Sequence, residues 1–345
     1  MKFIHCADLH IDSKLESGLS ASAAKERREE LLSSFLRLAK RADELGARAV
    51  IIAGDLFDSE RVSARSRKFV LDTVKQYPDV DFLLLTGNHD KGIETGFECP
   101  ENLRIFGKEL TAFDYGNVRI AGCGAYADGA FDSAFETEMI NIAVLHGEDR
   151  TDFSLDALRE KNIDYVALGH YHSYFSASLD DRGIYCYSGC LEGRGFDECG
   201  GKGYVLIETD EKTLTHTFVP FAQRRVEEIS VDMSEGSTLG EQRAILESAL
   251  ARLDRTSMVK VNITGKYEIG REKFYGHIVA EHKDEFFCLK LVDRSVLYIN
   301  PEDYMNDVSL KGEFIRLAMK EIADENERSR VIEYGLRALA MEDPE

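Results

Sequence analysis

The chain has 345 residues, 43 Lys and Arg against 63 Asp and Glu, and a formal net charge of −20. That length allows a large core and more than one domain. No apolar run approaches the roughly 18 residues of a membrane span, the opening Met1–Cys6 is expected to be a strand rather than a signal peptide, and seven scattered cysteines suit a reduced, cytoplasmic protein better than a disulfide scaffold.

Residues 2–7 form an apolar run that ends in Asp8-Leu9-His10 and reads as the first buried strand. A helix is expected over 25–45, where Leu31, Leu32, Phe35, Leu38, Ala39 and Ala42 recur at helical spacing and Gly46 is a natural stop. A second strand, 47–53, ends in Gly54-Asp55. A second helix, 63–77, stops before Pro78, and the strand 80–86 ends in Gly87-Asn88-His89-Asp90. Further strands are expected at 118–121 and 139–145, the latter ending in His146. A short helix at 156–162 precedes the strand 163–168, which ends in Gly169-His170-Tyr171-His172. Strands at 183–187, 204–209 and 213–219 follow, the last two paired through Asp210-Glu211. This βαβ rhythm predicts a layered α/β domain with a mixed sheet or two sheets.

A boundary is expected at 220–225. Beyond it, a strand (226–231), a helix (240–253) and strands at 258–264, 277–280 and 286–291 describe a small α+β domain. The tail is helical over 310–323, capped by Ser309, and over 327–340. In the latter, Val331, Ile332, Leu336 and Leu339 make an apolar stripe interrupted by Gly335. The expected domains are 1–222, 223–303 and 304–345.

Five apolar runs thus end in residues of metal-binding type. In open α/β sheets, functional groups gather beyond the carboxyl ends of the strands, and Asp, His and Asn hold hard and borderline metals. Asp8 and His10, two apart on an extended backbone, face one side and can share an ion. The carboxylate of Asp55 has two oxygens and can bridge two ions. Asn88 offers a neutral amide oxygen, and Gly147 leaves room beside the His146 ring. His170 and His172 are again two apart. Together these residues predict a dinuclear centre. Two ions about 3.5–4 Å apart acidify a bound water and clamp both oxygens of an in-line phosphoryl displacement.

His5, His216, His277 and His282 fall outside the set, and His5 is out of phase with Asp8. Cys186, Cys190 and Cys199 have zinc-knuckle character but lack a paired second half. The glycines at 193–203 read as turns, and there is neither a P-loop nor a serine-esterase elbow. The acidic excess runs against nucleic-acid binding, which draws on basic groups. Arg61, Arg65, Arg67, Lys68, Arg194 and Arg224-Arg225 read as solvated local charge.

The order of Asp8-x-His10, Gly54-Asp55-Leu56-Phe57-Asp58, Gly87-Asn88-His89-Asp90, His146-Gly147 and Gly169-His170-Tyr171-His172 resembles the calcineurin-like metallophosphoesterase superfamily over residues 1–175. The run Ser188-Gly189-Cys190-Leu191-Glu192-Gly193-Arg194-Gly195-Phe196 is similar to the SbcD branch of DNA-repair nucleases, and Ala7–Ser13 to its YhaO-like members. The resemblance implies a β-sandwich flanked by helices, with 1–222 as the phosphoesterase domain, 223–303 as a DNA-selecting capping domain and 304–345 as a helical tail. It implies two Mn2+ ions, one on Asp8, His10, Asp55 and His172 and the other on Asp55, Asn88, His146 and His170. His89 is left as the catalytic group that stabilises the transition state or protonates the leaving oxygen. The implied activity is DNA phosphodiester hydrolysis by a metal-bridging hydroxide. The implied partners are a second copy through the helix 63–77 and an SbcC-like ATPase through residues 310–340, with no membrane. Archaeal and eukaryotic members of the branch carry a histidine where this chain has Asp58, so their balance of exonuclease and endonuclease activity does not carry over. A phosphatase or small-molecule phosphodiesterase with the same site is the alternative.

Overall fold

A computed structural model describes residues 1–15, 19–58, 62–86, 99–127, 129–268, 271–299, 301–304 and 306–339. The chain divides into two units, Met1–Val226 and Glu227–Glu345.

Short, almost wholly apolar strands build the first unit. They are β1 (Lys2–Cys6), β2 (Ala49–Ala53), β3 (Asp81–Leu85), β4 (Leu103–Phe106), β5 (Thr111–Tyr115) and β6 (Val118–Gly122). After them come β7 (Ile140–His146), β8 (Tyr165–Gly169), β9 (Phe175–Ser178), β10 (Ile184–Tyr187), β11 (Gly203–Thr209) and β12 (Leu214–Pro220). They form two six-stranded sheets, ordered β12-β11-β1-β2-β3-β4 and β5-β6-β7-β8-β10-β9. β1 to β4 are mutually parallel, as are β6, β7, β8 and β10. Each sheet therefore presents its central carboxyl ends along one edge.

β2 shows why these runs read as continuously apolar. Ala49, Ile51 and Ala53 enter a core that also holds Val118, Ile120, Ile142, Val144 and Ala167 of the second sheet. Val50 and Ile52 point the other way, into a core with Phe35, Leu38, Val70 and Val74. Side chains alternate with period two, and both faces are covered. The covering helices are α1 (Ala21–Glu44) and α2 (Ala64–Gln76), started by Ser20 and Ser63, whose side chains accept backbone N–H bonds from Ala23 and Ser66. The far face of the second sheet is closed by Phe131, Phe135, Phe153 and Leu158, the last from the one-turn helix α3 (Leu155–Leu158). The architecture is an α/β sandwich flanked by helices.

Arg27 of α1 is wholly buried. It donates to Glu30 (2.6 Å) and Glu192 (2.8 Å), and Arg224 also bonds Glu30. Arg224 is thus a buried ion-pair member, which corrects its reading as solvated charge. The sequence pattern of 220–225 marks a boundary but not that the arginine within it turns inward.

In the second unit, β13 (Val226–Asp232), β14 (Met258–Thr264) and β16 (Cys288–Asp293) form a three-stranded sheet, and β15 (Lys266–Tyr267) pairs with β17 (Val296–Leu297). Helix α4 (Leu239–Leu250) opens with a capping box between Thr238 and Glu241. The strand expected at 277–280 is instead helix α5 (Tyr275–Glu281). Its buried residues, Tyr275, Ile278 and Val279, sit at helical spacing against Leu246 and Val261. The short β-branched run alone could not distinguish the two.

After α6 (Pro301–Tyr304), the tail helices α7 (Leu310–Glu321) and α8 (Glu325–Leu339) pack Ile315, Ala318 and Ile332 against Tyr267 and Leu297. Gly335 meets the ring of Phe314 so closely that a Cβ there would overlap it. The glycine that weakens α8 in isolation lets the two helices approach. Among the described residues, no helix is long and apolar enough to cross a membrane.

Candidate metal centre

Neighbouring parallel strands deliver the donors. Asp8 and His10 follow β1, Asp55 follows β2, His146 ends β7, and His170 and His172 follow β8. The two loops of the first sheet run side by side: Asp8 N–H donates to the Gly54 carbonyl (3.1 Å) and His10 N–H to that of Asp55 (3.0 Å). A crossing bond joins the sheets, with the His170 N–H donating to both carboxylate oxygens of Asp8 at 3.0 Å.

The backbone is bent to achieve this. Asp8 (φ 53°), His10 (45°), Asp55 (52°) and His170 (115°) all lie in the left-handed region, at about 1–3 kcal/mol each for non-glycine residues. Such strain gathers where function overrides local preference. Gly54 (φ 90°) and Gly169 leave the space that the His146 ring occupies, and a Cβ on either would collide with its surroundings.

The side chains converge as two overlapping groups. Asp8, His10 and His172 offer ligand atoms within 4.8 Å of one another, and so do Asp8, Asp55 and His146. Nε2 of His10 lies 3.2 Å from Nε2 of His172. Asp55 Oδ2 is 3.9 Å from His10 Nε2 and 3.4 Å from His146 Nε2, so one carboxylate oxygen sits between two imidazoles. Asp8 takes part in both groups. The His170 ring enters neither among the described residues. It lies edge-on to His146, with centroids 5.9 Å apart, while its backbone serves Asp8. Asn88 and His89 lie outside the described residues.

The outer ring nitrogens fit a metal site. His146 Nδ1 faces the Ala53 carbonyl at 2.8 Å, His172 Nδ1 faces Glu198 Oε1 at 2.7 Å, and His10 Nδ1 lies 3.3 Å from Asp58 Oδ1. An acceptor behind the His146 and His172 rings places the proton on Nδ1 and turns the Nε2 lone pair into the shared space, and the Asp58 carboxylate stands beside His10 Nδ1. Two ligand nitrogens on one ion, each bonded at about 2.1 Å, stand about 3 Å apart at a right angle. Carboxylates with imidazoles suit borderline divalent ions.

Electrostatics agree with a cation-seeking cluster. Burial pushes the Asp8 carboxyl up, partly offset by His146 and the His170 N–H. Burial opposes charge on His146, but the hydrogen bond and charge of Asp55 outweigh it and push it up to about 9. A bound ion must displace that proton. Glu198 is buried, which disfavours its charge, yet His172 and Arg194 hold it well below the usual carboxylate range.

Sequence reasoning missed Glu198 and the roles of Arg194 and Asp58. Arg194 spans the two carboxylates, donating to Asp58 Oδ1 and Glu198 Oε1 at 2.7 Å each, so its reading as solvated charge is corrected. A glutamate closely following an arginine between glycines was the available signal. His5 points away from the centre, its Nδ1 2.8 Å from the Tyr165 hydroxyl in the core. Cys186, Cys190 and Cys199 are free thiols and join no ligand group among the described residues. Cys190 donates to the His172 carbonyl and Cys199 to that of Phe196.

The chain is 26% identical over 281 residues to an uncharacterized metallophosphoesterase, YhaO, of Bacillus subtilis, covering 73% of this chain and 68% of the relative. It is 27% identical over 235 residues to the DNA double-strand break repair protein Mre11 of Methanocaldococcus jannaschii, covering 60% and 62%. For Mre11 of Archaeoglobus fulgidus the figures are 24% over 317 residues, covering 75% and 67%. The chain therefore spans about two thirds of the length of these relatives. Among solved structures, a dimetal phosphatase from Danio rerio aligns with 63% of this chain and 95% of its own at 12% identity and a TM-score of 0.42. Residues 1–174, half of the 345, match one family description throughout. The chain belongs to the calcineurin-like phosphoesterase family.

Proposed function

We propose that the chain is a manganese-dependent DNA nuclease, an SbcD-like subunit of a DNA-repair complex. The observation that carries this reading is the reach of the similarity. Alignment with Mre11 of A. fulgidus covers 75% of the chain, well past the phosphoesterase match at residue 174 and into the second unit.

Asp8, His10, Asp55 and His172 would hold one ion, and Asp55, Asn88, His146 and His170 the other. Two such ions supply charge neutralisation at the phosphoryl oxygens and an acidified water. The residues hold the donor atoms in place: Glu198 and the Ala53 carbonyl fix the His172 and His146 imidazoles, Asp58 stands beside that of His10, and the His170 N–H fixes Asp8. His89 would protonate the leaving oxygen. We further propose that residues 223–303 form a domain that selects DNA and that α2 forms a homodimer. The tail 304–345, with α7 and α8, would dock an SbcC-like ATPase.

The net charge of −20 favours a second reading, a phosphatase or small-molecule phosphodiesterase. One experiment separates them. Labelled single- and double-stranded DNA and p-nitrophenyl phosphate are each incubated with the protein and Mn2+, with and without EDTA. The expected result is DNA cleavage that EDTA abolishes, and a His89→Ala protein that keeps its metals but loses most of that activity. Hydrolysis of the monoester with intact DNA would assign the site to the second reading.

A further inference from the structure

His10 and His172 come from different sheets, yet their Nε2 atoms face each other at 3.2 Å. Behind them, their outer nitrogens meet two carboxylates, Asp58 and Glu198, at 3.3 and 2.7 Å. Arg194 closes the figure. Its Nη1 donates to Asp58 Oδ1 (2.7 Å), its Nη2 and Nε to Glu198 Oε1 (2.7 and 3.0 Å), and its backbone N–H to Glu198 Oε2 (2.7 Å). Asp58 follows β2 while Arg194 and Glu198 lie between β10 and β11, so the arginine joins segments 136 residues apart. Glu198 is buried, and the Arg194 and Asp58 side chains are 18% and 31% exposed.

We propose that Arg194 is a positioning residue that, through Asp58 and Glu198, sets the separation of His10 and His172 and so the affinity of the ion those two histidines share. A planar guanidinium addresses two carboxylates at once in fixed directions, which an ammonium does not. Without it, two like charges would stand behind the imidazoles and lose the guanidinium that links one to the other. His146 has a backbone carbonyl behind it instead, so the strap reaches one ion and not the other. The inference rests on the two-ion reading above.

The test uses the full chain, stripped of metal and titrated calorimetrically with Mn2+ alone, beside Arg194→Met, Arg194→Lys and Asp58→Asn. We expect the wild type to bind two ions. Arg194→Met and Asp58→Asn should lose tenfold or more in affinity at one ion, the scale of an outer-partner loss, and hold the other within about twofold. Without metal, Asp58→Asn should melt near wild type, whereas Arg194→Met should melt earlier because it leaves the buried Glu198 without its guanidinium. Arg194→Lys keeps the charge but cannot span both carboxylates and should remain weak at the same ion. With Co2+ in place of Mn2+, the visible spectrum of the weakened site should shift. A wild type that binds no ion overturns the two-ion reading itself. A two-ion wild type matched by Asp58→Asn and by any folded Arg194 variant overturns only the strap. Equal weakening of both ions, or full rescue by lysine, overturns it as well. If Arg194→Met does not fold, Asp58→Asn at its partly exposed position carries the same comparison.

Discussion

The backbone N–H of His170 donates to both carboxylate oxygens of Asp8, at 3.0 Å each. One peptide group from the second sheet thereby fixes the plane of a buried carboxylate from the first. Asp8→Asn keeps the shape but removes the charge and puts an amide NH2 against that donor. We expect metal-dependent turnover to fall on the order of a hundredfold or more, since a direct ligand matters at least as much as its support. The metal-free protein should melt only slightly earlier, because losing a charge that burial disfavours partly offsets that clash. Thermal melts with and without Mn2+ check both halves.

Gly54→Ala tests how tightly the centre is packed. The alanine would have to adopt φ 90° with its Cβ in the His146 ring. Backbone strain and overpacking together should cost about 2–5 kcal/mol, measured by urea unfolding. Mn2+ binding should weaken along with stability. A variant of wild-type stability would mean that the His146 ring does not occupy that space.

His5 gives a pH dependence free of the metal centre. Burial holds its pKa down at about 3, against an ordinary 6.5, with only partial compensation from the Leu168 backbone. Between pH 6.5 and 3 the unfolded chain binds this proton and the folded chain does not, so stability falls as pH falls, by up to about 1.4 kcal/mol per unit. His5→Gln should cost about 1–2 kcal/mol at pH 7, and the gap to wild type should close by pH 5. Urea titrations across that range would expose a gap that stays constant and so refute the assignment.

Glu30 should show the opposite partnership. Burial would raise its carboxyl, but hydrogen bonds from Arg224 and Arg27 outweigh it and hold it below the ordinary 4.5. A depressed carboxyl contributes stability that is complete above about pH 4.5 and lost as pH falls through the folded value. Glu30→Gln should therefore cost about 3 kcal/mol at neutral pH, as when a buried pair is broken, and progressively less below pH 4. Denaturant midpoints at pH 7 and pH 3.5 decide it.

What the sequence made legible follows from the range of each signal. The ends of β1, β2, β7 and β8 were readable because an apolar run and the donor after it are contiguous. The same runs predict a layered α/β domain with a mixed sheet or two sheets, and the family resemblance implies the sandwich. Asp58, Arg194 and Glu198 were not assembled in advance, because the relation that gives them meaning spans 136 residues and leaves no local period. His277 to Ala280 alone is too short to show the helical spacing of α5, which becomes visible only with Tyr275 against the core. Asp8 in both ligand groups was likewise hidden, since it depends on how the two sheets face each other.

The donors of the centre come in near-equal shares from the ends of two separate sheets. An ion gripped by Asp8 and His172 is therefore a further cross-link between the two layers. Holding it stabilises the folded form by mass action, more with each decade of free metal. Chelation should then be felt far from any substrate, as faster amide exchange where β1 and β8 end and as a sandwich that splays sooner on heating.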